Sequence, residues 1–178
     1  MSVNPYGRTL LLAVVDLLNR PPATPAELAD RWTGTGMPLE SVPGPDDLTT
    51  VHGYLEDWTR LVGAATEADR VVLLNEMLAR YATPPTVTDH DGSGWHIHYR
   101  RNDAGFAAIL TAATTVAAAQ HLTSTGMHRL GFCALPECDN AFVDFSRPGR
   151  QRYCSHPCSN RDAVRRHRTA QKARTTAR

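Results

Sequence analysis

Apolar residues run almost unbroken from Thr9 to Asn19, a pattern that predicts a buried helix closed by Pro21-Pro22. Thr24, with Pro25 and Glu27 after it, has the form of a capping box and predicts a short helix from Pro25 to about Thr33, ending near Gly34 and Gly36. Pro38 to Pro45 is rich in proline and reads as a surface loop. Asp46 or Asp47 is placed to cap the next helix, in which Leu48, Val51, Leu55, Trp58, Leu61 and Val62 recur at helical spacing. After Gly63 the pattern repeats over 65–81 with Val71, Val72, Leu74, Met77, Leu78 and Tyr81, and Thr83-Pro84-Pro85 stops it. Trp95-His96-Ile97-His98-Tyr99 alternates instead, which predicts a strand with Ile97 inward and its polar residues outward, preceded by a turn over 89–94. Asp103 is placed to cap an alanine-rich helix from Ala104 to about Thr123, ended by Gly126.

This pattern describes a mainly α body with one short β element, large enough to bury its own core. No stretch reaches the roughly 20 consecutive apolar residues of a membrane span. The segment ahead of Leu10 has a single basic residue, Arg8, and no small-residue cleavage site, so the expectation is a cytoplasmic protein without a membrane partner. The formal net charge of +1 conceals an asymmetry. Residues 1–130 hold 9 Lys/Arg against 14 Asp/Glu, whereas residues 131–178 hold 10 against 4. An acidic body with a basic end is a common footprint of polyanion binding, although solvated helix faces produce it too.

All four cysteines lie in the basic end, as Cys133-x4-Cys138, fifteen residues, then Cys154-x3-Cys158. Two short-spaced pairs joined by a longer excursion supply the four soft ligands that Zn2+ takes in a tetrahedral structural site. Two disulfides are the alternative, but they belong to secreted chains and nothing in the sequence indicates secretion. Redox chemistry is a third option, and His156 a spare ligand that the neighbouring thiols make unnecessary. Four protein thiolates leave no open coordination position, so a catalytic zinc is not expected. The excursion reads as a hairpin: a strand over Ala141–Phe145, a turn over Ser146–Arg150, and Gln151-Arg152-Tyr153 returning. Ser155 is a plausible N-cap for a helix carrying Cys158 on its first turn.

Arg152-Tyr153-Cys154-Ser155 followed by Cys158-Ser159-Asn160-Arg161 resembles the signature of CGNR-type zinc fingers. Phe142-Val143-Asp144 and Ser146-Arg147-Pro148-Gly149-Arg150 extend the resemblance. Ser159 replaces the glycine that gives the motif its name, which is harmless if the position is helical. In that family a helical domain called ABATE usually precedes the finger, and residues 9–125 look like a divergent example. Members are described as transcriptional regulators, so the resemblance implies DNA as a partner. The organisation expected is an ABATE-like body over 1–129, a treble-clef-like finger of β-hairpin and helix over 130–170, and a basic polar tail over 171–178.

Arg161, Arg165 and Arg168 fall at i, i+4 and i+7 and share one helix face. A row of guanidiniums suits phosphates or guanine edges, with Arg165 and Arg168 expected on phosphate. Asn160 suits adenine or bracing of the metal loop. Arg166 and Lys172 extend the charge, and Arg147, Arg150 and Arg152 on the hairpin complete the expected contact set. The competing reading is that these arginines solvate a small domain and pair with Asp144 and Asp162. One finger buries little surface, so a homodimer built through the body follows from the DNA reading. Protein interaction through the finger is the alternative function.

His96-x-His98 places two imidazoles on one strand face, a geometry some metal enzymes use, with Asp89, His90, Asp91 and Asp103 near in sequence. A ligand pocket for a small-molecule effector there is the third reading. No Ser–His–Asp signature, P-loop or dinucleotide fingerprint occurs, and no catalytic residue is assigned. Trp32, Trp58 and Trp95 are expected in the core or a pocket wall.

Overall fold

A computed structural model of the chain describes residues 6–89 and 94–176, with side chains to Gln171. His90 and Asp91 lie outside the described residues, as does the side chain of Lys172. The elements run α1 (Gly7–Asn19), α2 (Pro25–Thr33), α3 (Pro45–Val62), α4 (Glu67–Tyr81), β1 (Thr86–Thr88), β2 (His96–His98), α5 (Phe106–Thr125), β3 (Leu130–Phe132), β4 (Ala141–Val143) and α6 (His156–Thr176). A single 3-10 turn, Met127–Arg129, joins α5 to β3. The fold is mainly helical, with two small antiparallel strand pairs among the described residues.

α5 is the centre. It packs against α1, α3 and α4, and a helix surrounded in this way is apolar on all sides. Its composition would suit a membrane span, but 67% of that stretch is buried inside the protein. Alanines 107, 112, 117 and 118 let neighbouring helices approach. Three buried threonines interrupt the apolar surface, and Tyr54 of α3 partners the hydroxyls of two of them. Its hydroxyl lies 2.6 Å from Thr114 Oγ1 and 2.8 Å from Thr115 Oγ1, and donates to the Thr111 carbonyl at 3.2 Å. Burial, opposed only partly by these threonines, pushes the Tyr54 phenol up to about 12. Trp32 packs edge-on against Phe106 and donates to the Pro38 carbonyl.

The caps show how local sequence sets the helix starts. Thr24 Oγ1 accepts from Glu27 N at 3.1 Å, while the Glu27 carboxylate accepts from Ala23 N rather than from the cap residue itself. Asp47 lies inside α3, whose cap is Gly44. One of its oxygens accepts from Gly44 N at 2.9 Å and the other from Ala107 N at 2.9 Å. A single carboxylate thus satisfies the starts of α3 and α5, at the ends where the helix dipoles favour negative charge. Asp103 does not cap α5 as expected, because Asp47 occupies that role and Asp103 pairs with Arg101.

β2 pairs with β1, Val87 opposite Ile97. The side chains face opposite to expectation: Ile97 is 57% exposed, while His96 and His98 are half-buried. Trp95 is also exposed, at 79%, whereas Trp32 and Trp58 are in the core. Alternation defines two faces of a strand but not which one meets the core.

Asp47→Ala strips acceptors from two helix starts. Its expected cost is about 1–3 kcal/mol, or a fall in melting temperature of roughly 2–12 °C by calorimetry of the zinc-loaded chain. A change below about 1 °C would show that the shared cap contributes little.

Candidate metal centre

The finger begins where α5 ends. β3 and β4 are antiparallel, with Leu130 opposite Val143 and Phe132 opposite Ala141. The turn between them is the first cysteine knuckle: Cys133 N donates to Asn140 O at 2.8 Å and Cys138 N to Leu135 O at 2.9 Å. The pairing differs from the expected hairpin. β4 takes the upstream β3 as partner, and Gln151–Tyr153 forms no strand, because Asp144 turns the chain before a ladder can form. The buried Asp144 carboxylate accepts from Ser146 N at 2.7 Å and Gln151 N at 2.9 Å. Burial raises the Asp144 pKa, but the hydrogen bonds from Ser146 and Gln151 outweigh it and hold the carboxyl below its usual range. Its nearest guanidinium is Arg129, not a hairpin arginine. Gly149 completes the turn with φ of +64°, and a Cβ there would sit 2.8 Å from Arg129 Cζ.

The returning segment is tied to the knuckle by Ala134 N donating to Arg152 O at 2.7 Å, which delivers Cys154 beside Cys138. Ser155 Oγ accepts from Cys158 N at 3.4 Å, the contact of an N-cap, and α6 starts as expected. Ser159 lies within α6, and no described residue other than glycine has positive φ, so the position does not require glycine.

The four sulfurs lie within 4.8 Å of one another. Cys138 Sγ to Cys154 Sγ is 3.6 Å and Cys154 Sγ to Cys158 Sγ is 3.7 Å. A tetrahedral zinc with bonds near 2.3 Å separates its sulfurs by roughly 3.8 Å, so the donor set fits the ion. All four cysteines are free thiols rather than disulfides. Burial, then the adjacent Cys138, pushes the Cys154 thiol up to about 12, while the Ser155 hydroxyl leads the effects that pull Cys158 down. Zinc held by Cys133, Cys138, Cys154 and Cys158 would crosslink knuckle and helix at four points, with the thiols ionised. His156 is exposed and stands outside the cluster.

From His156 to Gln171 only Cys158 and Asp162 of α6 are buried. A groove of ≈ 680 Å³ runs between this helix and the knuckle, lined by Leu135, Glu137, Asn160, Arg161, Val164, Arg165, Arg168 and Thr169. The expected arginine face is therefore formed, with Asn160 on it. Arg166 lies off the groove and pairs with Asp162 at 2.9 Å, and Arg165 pairs with the other oxygen of the same carboxylate. Arg147, Arg150 and Arg152 are exposed on the finger, Arg152 lying over the Tyr153 ring. His96 and His98 lie together on the body, Nε2 to Nε2 3.0 Å, and neither lines this groove.

Several residues that sequence reasoning passed over seat the finger on the body. The Asn19 carboxamide accepts from Ala141 N at 2.7 Å and donates to Ala141 O at 3.0 Å, standing in for a third strand on the free edge of β4. Arg8 lies over the Phe145 ring and His121 packs beside it. Arg70 of α4 donates to the Leu61 and Val62 carbonyls and to Met127 O, closing α3 and fixing the turn into β3. The only advance signal for Asn19 was an amide at the end of an apolar helix.

Two outcomes follow. Purified chain is expected to hold one zinc by elemental analysis, and Cys133→Ser or Cys158→Ser to lose it; a finger that stays folded at 133–138 and at the start of α6 in the reduced, metal-free chain contradicts the site. Asn19→Ala, which leaves both polar groups of the buried Ala141 without partners, should cost about 2–4 kcal/mol by denaturant unfolding.

No curated protein matches the chain. Residues 129–171 match the model of the CGNR zinc finger. With four cysteines set around one point, that segment is a zinc finger of CGNR type whose cofactor is Zn2+.

Proposed function

We propose that the chain is a DNA-binding transcriptional regulator in which the zinc finger presents α6 to duplex DNA. The observation that carries the reading is α6 itself, a long exposed helix anchored at its first turn by thiols and bearing Arg161, Arg165 and Arg168 along one groove. Such a helix has no core to serve, and its dimensions suit a major groove. Arg147, Arg150 and Arg152 on the adjacent turns add cations that phosphates attract. With four ionised thiolates and one zinc, residues 131–178 keep a net charge of about +4.

The helical body is read as the regulatory and dimerising module, ABATE-like over 9–125. A dimer would supply the second half-site that one finger lacks. A cytoplasmic location and the absence of a catalytic role belong to the same reading. A second reading is favoured by one observation: Val164, 50% exposed, sits in the groove beside Leu135 and Glu137. A mixed apolar and charged groove also suits a protein segment, which makes the finger an adaptor.

Salt dependence separates them. Binding of zinc-loaded chain to labelled duplexes should weaken steeply with salt, and Arg168→Ala should make the slope of log K against log salt shallower by roughly 0.9, one released counterion. An unchanged slope would remove Arg168 from the phosphate contacts, and salt-insensitive binding would favour the adaptor.

A further inference from the structure

Asp162 is the one buried acid of α6, 3% exposed, and its carboxylate gathers three donors. Tyr153 Oη donates to Oδ2 at 2.6 Å, Arg166 Nε lies 2.9 Å from the same oxygen, and the Arg165 guanidinium bonds Oδ1. Tyr153 adjoins the ligand Cys154 and packs against the cysteine cluster, so its hydroxyl is fixed by the metal centre. A chain of contacts therefore runs from the thiols through Tyr153 and Asp162 to Arg165. Among the described residues Arg161 and Arg168, which share the groove, form no ion pair with a carboxylate.

We propose that Arg165 is the base-reading residue of α6, that the base it selects is guanine, and that Asp162, held by Tyr153, is its positioning residue. This rests on the DNA-binding reading. Arginine carries five N–H donors in a planar fork. Asp162 engages one side of the Arg165 fork and leaves the remaining donors available to the groove. Guanine alone presents two adjacent acceptors, N7 and O6, in the major groove. Fixing the side chain beforehand removes part of the ordering entropy that a free arginine loses on binding.

Charge separates Arg165 from its neighbours. Asp162 shares its single negative charge between Arg165 and Arg166, so Arg165 contributes only part of its charge to counterion release, whereas Arg161 and Arg168 contribute fully. The rest of the groove agrees. Val164 offers an apolar contact of the kind a thymine methyl accepts, Asn160 offers a carboxamide, and the Glu137 carboxylate opposes a phosphate. These are groups that meet base edges. The assignment revises the expectation that Arg165 contacts phosphate.

The test is selection from random duplexes with the zinc-loaded full chain, followed by salt titrations of the enriched duplex and its single-base variants. The wild-type motif is expected to contain one guanine preferred by roughly ten- to a hundredfold over other bases. Arg165→Ala should erase preference at that position alone and make the salt slope shallower by less than Arg161→Ala does. Asp162→Asn should weaken the preference at that position alone, which a merely structural role would not do, and it should steepen the slope by up to about one because it frees charge. Arg161→Ala should keep the motif with a shallower slope, and zinc content should be equal in all variants. Guanine preference that survives Arg165→Ala, or a slope that becomes shallower with the motif intact, overturns the assignment while leaving DNA binding in place. No enriched motif and no salt-dependent binding by the wild type overturns both.

Discussion

The finger depends on one constraint: four sulfurs from two distant pairs must meet at a point. α6 has no apolar seam, and Cys158 and Asp162 are its only buried residues to Gln171. Ordinary helices in proteins are held by an apolar face against a core, and α6 lacks one. What holds it is the junction of the β3–β4 knuckle, the segment that ends in Cys154, and the Ser155 cap. Leu135 and Tyr153 add a small apolar cluster around the sulfurs, too small to hold a helix of 21 residues. Metal ligation replaces the core that this part of the chain never builds.

The crosslink would be of little use if the finger swung freely. β4 is seated against α1, and Asn19 closes its open edge as a neighbouring strand would. Arg129 binds the carbonyls of the Ser146 turn, and Arg70 fixes the turn that leads out of α5. Leu130, Ala141 and Val143 belong to the main hydrophobic core, so the first half of the finger is continuous with the body while α6 projects from it. A change in the packing of α1 or α5 would reach the knuckle through these contacts. If the body is regulatory, as proposed, these contacts are the route by which it would act on the finger.

Much of this was legible in the sequence, and the reasons are uneven. Helix periodicity placed α1 to α4 within a few residues, because each carries an apolar face and a proline, threonine or glycine boundary, and the alanine-rich run ended by Gly126 placed α5. The cysteines were legible because ligand spacing is local. Strand partners were not: β4 could pair with Gln151–Tyr153 or with Leu130–Phe132, and only the buried Asp144, which turns the chain, decides between them. The facing of β2 was inverted because alternation has no sign. The paired caps of Asp47, the strand mimicry of Asn19 and the Tyr153–Asp162–Arg165 contacts join residues distant in sequence or dependent on burial, and no local pattern announces them. Asp162 was recognised as an arginine partner, but not as a hub.

The central claim is that the thiol cluster holds α6 in place. Hydrogen exchange, read by mass spectrometry on zinc-loaded chain and on chain stripped by chelator under reducing conditions, measures this directly. The account predicts that the knuckle at 133–138 and the first turns of α6 lose protection when the metal leaves, while α1, α3 and α5 keep theirs. Unchanged protection at the start of α6 in chain verified to be free of zinc would contradict it.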